Sequence, residues 1–295
     1  MNKDEALKKL QLNELEILKT IAALCDEHGI AWFIDAGTLL GAARHQGFIP
    51  WDDDIDIAML RSDFDRFIEV ARGHLPDGYS LHTFGNTPGF AGMFAKVYRD
   101  GTVFATRETQ EAGCDQGIFV DIFPYDFLEP DERIEAKQRR TAKLWQSASY
   151  LWHSKTIVVP HGGGLGRIEA VGCRAVHYLV KGIFSREGIK RRFDRAIVRR
   201  ELHPDDVVLE LAWPNVQGYR VGIYFPSQLF RLRGLIFRFR ENGSAISFRC
   251  TVIGKSCPNL RTVARISRCC CDSRMGPAGR ASSGFSLLFR VRSSV

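Results

Sequence analysis

Residues 35–59 read DAGTLLGAARHQGFIPWDDDIDIAM, and the interpretation of the chain turns on this stretch. Ile55–Met59 has the pattern of a strand, in which residues i and i+2 share a face. On that pattern Asp52, Asp54 and Asp56 point one way, Ile55 and Ile57 enter a core, and Asp53 faces away. Three acids on one edge raise each other's pKa and oppose folding unless something neutralises them. A divalent cation does this. Mg2+ (or Mn2+) takes hard oxygen ligands and fills its shell with water and substrate phosphate. An acidic turn after Pro50 is the alternative that the cluster by itself leaves open.

Just upstream, Gly37 allows close approach of a phosphate, and Thr38 adds a hydroxyl to the amides of a turn that leads into a helical segment, Leu39–Ala43. Arg44 and His45 follow, within reach of anionic oxygens. Downstream, GIFVDIFPYD (residues 117–126) sets Asp121 on an apolar strand, where an acid is costly unless it has a task.

The flanking elements alternate. Leu7, Leu10, Leu15, Leu18, Ile21, Ala22 and Cys25 recur at helical spacing up to Gly29, and Ala31–Asp35 reads as a strand. After Met59 comes a helix capped by Ser62 with Phe64, Phe67, Ile68 and Ala71 on one face. Met93–Tyr98 and Phe119–Phe123 are strands, Arg133–Trp152 is a helix, HGGG (residues 161–164) is a loop, and two more helices run to about Leu202. Together these predict an α/β (α+β) chain: a catalytic core in residues 1–130, a helical region in 131–230 and an atypical tail in 231–295.

The composition is that of a globular enzyme, 45% apolar and 25% charged. No apolar run reaches the ~20 residues of a transmembrane helix, and MNKDEALKKL carries no apolar core of a secretory signal, so a cytoplasmic location is expected. The net charge of +7 does not signal nucleic-acid binding. It is concentrated in residues 231–295, which hold twelve Arg and one Lys against one Glu and one Asp, whereas the first 230 residues carry −4. That tail also contains five of the eight cysteines, without metal-ligand spacing. Its character fits a disordered or non-native extension, or a chain out of frame after about Phe230. HGGG has no G-x-S-x-G partner, and neither a P-loop nor a G-x-G-x-x-G fingerprint occurs. Cys25, Cys114 and Cys173 read as small core residues.

Gly-Thr, then D-x-D-x-D, then a lone strand Asp resembles the nucleotidyltransferase superfamily with its polymerase-beta-like mixed sheet. More closely, GTLLGAARHQGFIPWDDDIDIAM with FVDIFPYD resembles the LicD family of phosphocholine transferase-like proteins, related to the fukutin-type transferases. The likeness is dense over residues 35–127 and weaker to Phe230. A Y-G-D-Y-M-like segment, usual near the end of this family, is not found after Phe230.

The resemblance implies Mg2+-dependent transfer of a phospho-alcohol, typically phosphocholine from CDP-choline or another CDP-alcohol, to a sugar hydroxyl of a cell-surface glycan such as lipopolysaccharide, teichoic acid or capsule. It implies no nucleic-acid partner and leaves peripheral association with the inner membrane open. Carried across, Gly37 and Thr38 are the phosphate-proximal turn and Asp54 and Asp56 the metal pair. Asp52 is an extra ligand or supporting acid, and Asp121 a third carboxylate or the base. Lys96 is a donor-phosphate contact or a solvated strand lysine. Asp53, Asp126 and His45 rank as orienting or structural groups. The rivals are nucleotidyl transfer with release of pyrophosphate, and a silent binding protein.

The break in composition predicts that low protease removes residues 231–295 while most of the first 230 survive. Gel and mass analysis of the digest checks this, and equal protection of both parts refutes it.

Overall fold

The computed structural model describes residues 2–45, 47–155, 163–213 and 218–221, with backbone alone at 43 and 163–170, and a strand pair at 251–252 and 255–256. The expected tail lies outside the described residues apart from that pair, β8 (Thr251–Val252) with β9 (Lys255–Ser256).

Asn2 opens the first helix by accepting from the Glu5 N–H at 2.8 Å, while the Glu5 carboxylate accepts from the Asn2 N–H at 3.1 Å. Helix α1 (Lys3–His28) then stops before Gly29, as its periodicity predicts. Its apolar stripe includes Leu15, Leu18, Ile21 and Cys25, all buried. The chain continues through β1 (Phe33–Ile34), α2 (Ala36–His45), β2 (Asp56–Leu60), α3 (Arg61–His74), β3 (Tyr79–Thr83), β4 (Ala95–Arg99), α4 (Arg107–Glu111) and β5 (Ile118–Leu128). Beyond these lie α5 (Glu132–His153), α6 (Gly163–Ile183), α7 (Arg186–Phe193), a 3-10 turn at Asp194–Ala196, β6 (Val207–Leu209) and β7 (Tyr219–Arg220).

Among the described residues these strands form one mixed seven-stranded sheet in the order β1-β2-β5-β4-β3, with β6 on the far end of β5 and β7 on β6. The β2–β5 pair is parallel, and the other pairs are antiparallel. Pro124 stands between two sets of β5 partners. The β4 pairing ends at Ala95 opposite Ile122, and β6 begins at Leu209 opposite Asp126. A residue without an N–H suits the position where one ladder stops and another starts.

Alternation along the strands divides the apolar residues between two cores. Ile57, Met59, Val97, Val120 and Ile122 pack with α1 and α3 on one face. Ala58, Leu60, Phe123 and Tyr125 pack with α5 and α7 on the other. The expected α/β class is therefore observed, with corrected bounds. The strand expected at Ala31–Asp35 keeps only Phe33–Ile34, and β3, β6 and β7 were not foreseen. Ser62 lies inside α3, whose cap is Leu60 without a side-chain bond. In HGGG, Gly163 and Gly164 are helical, while His161 and Gly162 lie outside the described residues. Cys25 and Cys114 are buried, as core residues should be, whereas Cys173, on α6, is only partly buried. Among the described residues no helix is long and apolar enough to cross a membrane.

One buried ion pair ties α3 to the sheet. Arg61 donates from Nε to Asp126 Oδ1 at 2.6 Å and from Nη2 to Oδ2 at 2.9 Å, and Asp126 is wholly buried. This bidentate geometry commits both Asp126 oxygens to Arg61. Replacing Asp126 with Ala leaves the Arg61 charge buried, so urea unfolding should show a loss of about 3–5 kcal/mol. Asp65→Ala, at a half-exposed partner of Arg61 and Arg199, should cost less than about 1 kcal/mol.

Candidate active site

Parallel pairing of β2 and β5 sets Asp56 directly opposite Asp121, and antiparallel pairing of β5 and β4 sets Asp121 opposite Lys96. The three side chains therefore stand side by side across three strands, on the face covered by α5. Lys96 Nζ lies 2.8 Å from Asp121 Oδ1 and 3.2 Å from the centre of the Phe119 ring. Both members of this pair are buried. Lys96 is thus not a solvated strand lysine, because its charge is committed to Asp121. Burial pushes the Asp121 pKa up, and the Lys96 ammonium opposes that rise.

The neighbouring acids are arranged differently from the expectation. The strand begins at Asp56, so Asp52–Ile55 lies in the segment leading into it, where Asp52 N donates to Ile49 O at 3.0 Å. A turn does not obey two-residue alternation. Asp53 consequently does not face away: carboxylate oxygens of Asp52, Asp53 and Asp54 lie within 4.8 Å of one another. Burial first, and then Asp52, Asp121 and Asp53, push Asp54 up to about 7 against the pull of Lys96. Burial and Asp53 push Asp52 up to about 6. Burial also raises Asp56 well above the carboxylate range, reinforced by Asp54, Asp121, Asp35 and Glu210.

Gly37 and Thr38 serve this cluster rather than forming a separate turn. Helix α2 starts at Ala36, whose φ of 45° is left-handed, so both residues belong to its first turn. A Cβ on Gly37 would sit 2.9 Å from Asp52 Oδ2, which shows that the acid occupies the space glycine leaves. Thr38 Oγ1 accepts from the Asp56 N–H at 2.8 Å, and Asp35 N donates to Asp56 O at 3.0 Å. Thr38 therefore pins α2 to the start of β2. Arg44 and His45 are exposed in the last turn of α2, about 10 Å along its axis from Gly37, and His45 meets the Trp51 ring edge-on. The structure does not bring them into the acid cluster.

Several contributors were missed. Gln11 and Glu14 of α1 are buried, and Gln11 Nε2 donates to Asp52 O at 2.8 Å. Glu14 feels Asp54, Asp53, Asp52 and Asp121 as its charged neighbours. Their signal was a pair of polar residues three apart on the apolar stripe of α1. Tyr125 Oη donates to Asp35 Oδ2 at 2.8 Å. On the α5 side Tyr150 is influenced by Asp121 and Glu210, which no sequence pattern announces. The acids present hard oxygen atoms, and Lys96 offsets only Asp121 and Asp54 among them, so a divalent metal fits the donor set.

The family model described as LicD/FKTN/FKRP, nucleotidyltransferase domain, matches residues 29–161. The chain is 35% identical over 156 residues to the lipopolysaccharide cholinephosphotransferase LicD of Haemophilus influenzae, which covers 50% of this chain and 57% of that protein. It is also 35% identical over 48 residues to human ribitol 5-phosphate transferase FKRP, 16% of this chain and 10% of that one. The chain thus spans little more than half the length of the first relative. No solved structure matches it.

A carboxyl whose pKa rises on folding takes up protons as the chain folds. Stability of the metal-free protein should therefore fall as pH rises from about 4, where unfolded Asp titrates, to about 7, where Asp54 titrates in the fold. Urea unfolding in chelator should show Asp54→Asn gaining on the unmodified protein from pH 5 to 8. A difference that does not change with pH would mean that Asp54 titrates normally.

Proposed function

We propose that this chain, whose residues 29–161 match the LicD/FKTN/FKRP nucleotidyltransferase-domain model, transfers a phospho-alcohol, phosphocholine from CDP-choline, to a hydroxyl of a cell-surface glycan. The observation that carries this reading is the register Asp56–Asp121–Lys96, which gathers a partly buried and a buried carboxylate and one cation on adjacent strands beside Asp54. The relatives named for transfer of cholinephosphate and ribitol 5-phosphate support the reaction class.

In the proposed reaction the acceptor oxygen attacks the phosphorus next to choline. The bond from that phosphorus to the CMP oxygen breaks, and CMP leaves with the electron pair. Asp121 takes the proton from the attacking hydroxyl, and Lys96, 2.8 Å away, keeps its carboxylate ionised until then. Thr38 fixes Asp56 through the backbone, so the acids are positioned before the donor arrives. Asp52, Asp54, Asp56 and Asp121 would hold Mg2+ or Mn2+, which when bound neutralises charge on the donor diphosphate. The acids are at least partly buried, which strengthens electrostatic contacts made there.

The full chain, incubated with CDP-choline, Mg2+ and a glycan acceptor, should release CMP, and chelator should stop the release. Asp121→Asn should lower kcat by about 10^2–10^4-fold. Pyrophosphate from CTP, with no CMP from any CDP-alcohol, would instead assign nucleotidyl transfer. Donor binding without turnover would assign a binding protein.

A further inference from the structure

The row of side chains that holds Asp56, Asp121 and Lys96 continues onto one more strand, because β3 pairs with β4 and sets His82 opposite Lys96. His82 thus stands on the same face as Asp121, two strands away, or about 10 Å at the usual strand spacing. One step along that face Tyr98 stands opposite Ser80. Next to these residues the segment 100–117, which includes α4, bounds a cavity of about 440 Å³ whose lining includes Ser80, His82, Tyr98, Asp100, Gln110 and Asp115. That volume is in the range of small-molecule sites. The inner wall is fixed. Ser80 Oγ donates to Asp100 Oδ1, so toward His82 Nε2, 2.8 Å away, it can only accept, while His82 Nδ1 lies 2.9 Å from Thr87 Oγ1. His82 therefore takes no proton from Ser80, and the trio is not a nucleophile with its base. The His82 ring stacks on Tyr98 with centroids 3.7 Å apart. Tyr98 is 3% exposed, and its Oη has no hydrogen-bond partner.

The charges on the lining select the ligand. Asp100 uses one carboxylate oxygen on Ser80, and the exposed side chains of Gln110 and Asp115 make no hydrogen bond or ion pair among the described residues. The cations nearby are committed elsewhere: Arg99 Nη1 donates to Asn13 Oδ1 at 2.6 Å, and Lys96 pairs with Asp121. Two carboxylates without an uncommitted cation repel a phosphate or diphosphate. Carboxylate, amide and phenol together suit a neutral ligand rich in hydroxyl groups, which donate to the carboxylates. Among the described residues Asp100 and Asp115 do not converge with a third metal-ligating group, as Asp52–Asp54 do. We propose that this cavity binds a neutral sugar unit of the acceptor glycan, away from the hydroxyl that reacts at Asp121. Equating the ligand with the acceptor rests on the proposed function, whereas the preference for a neutral sugar rests on the lining alone. A contact remote from the reacting centre orients the acceptor and lends binding energy to the step at Asp121.

The test titrates methyl glycosides of glucose, galactose and N-acetylglucosamine, at millimolar concentration, into the isotope-labelled full chain and reads the His82 imidazole NMR signals, assigned with His82→Gln. At least one glycoside should shift them saturably. Asp115→Ala should weaken that binding by about tenfold. Ala105→Trp, which fills the cavity from an exposed position of its lining, should abolish it. Glu16→Gln, at the exposed Glu16–Lys19 pair of α1, should bind as the unmodified protein does. With CDP-choline and a glycan acceptor, Asp115→Ala should raise KM for the acceptor by about tenfold and leave KM for CDP-choline unchanged. His82 signals that no glycoside moves would overturn the site, as would a shift that persists at full affinity in Asp115→Ala and Ala105→Trp. A shift produced by choline or CMP and by none of the glycosides would equally overturn it. Glycoside binding lost in the variants, without CMP release from CDP-choline, would remove the proposed reaction and leave the sugar site standing. CMP release with an unchanged acceptor KM in both variants would keep the reaction and overturn the site.

Discussion

Parallel pairing of β2 with β5 forces partly buried Asp56 against buried Asp121. Like charges so placed are expensive, and their cost is set by burial more than by distance, because low polarisability around a carboxylate penalises its charged form before any neighbour acts. The surrounding structure answers that cost. Lys96 arrives on the adjacent strand with its ammonium against Asp121 and the Phe119 ring. Thr38 takes up the Asp56 N–H, and Asp35 is held by Tyr125. The pKa values of Asp52, Asp54 and Asp56 are all raised, so these contacts do not fully offset the acids. The remaining demand for positive charge is what a cation would answer.

The scaffold permits this because its apolar residues are divided. One core joins α1 and α3 to the sheet and the other joins α5 and α7 to the opposite face, so the strands are held from both sides while their charged ends stay together. A second buried pair, Arg61 with Asp126, lies five residues further along β5 and is closed on itself by two hydrogen bonds. The contrast between the two pairs is instructive. Asp126 meets a guanidinium with both oxygens and is structural, whereas Asp121 shares one lysine with a group of acids and is chemically open. Two carboxylates on one strand thus differ in role through their partners alone.

The acid cluster also draws on residues outside 29–161. Gln11 and Glu14 approach the acid turn from the N-terminal side, and Glu210 influences Asp56 from the edge where β6 joins β5. Each comes from an element packed on the domain rather than belonging to the matched stretch, and each acts at the same charged strip. Packing around the site therefore contributes polar groups as well as apolar burial.

The amino-acid sequence by itself determined the helix that carries Leu7 to Cys25 and stops at Gly29, the strand at Ile55–Met59, the cost of Asp121 on an apolar strand and the presence of an acid-rich stretch, since each follows from periodicity or charge within a short window. It also marked the Gly37–Thr38 step, although the reason for that glycine proved to be the Asp52 carboxylate and the reason for that threonine the Asp56 amide. Only the tertiary structure decided which acids meet. Alternation was extrapolated through Asp52–Asp54, but the turn there gathers Asp53 with its neighbours instead of sending it away. Lys96 found its partner through strand pairing, Glu14 through the docking of α1, and Arg44 and His45 were carried to the other end of α2. The Lys96–Asp121 and Glu14–Asp54 relations join residues 25 and 40 positions apart, and no local pattern encodes them, because they are set by which surfaces bury together and not by the residues on either side.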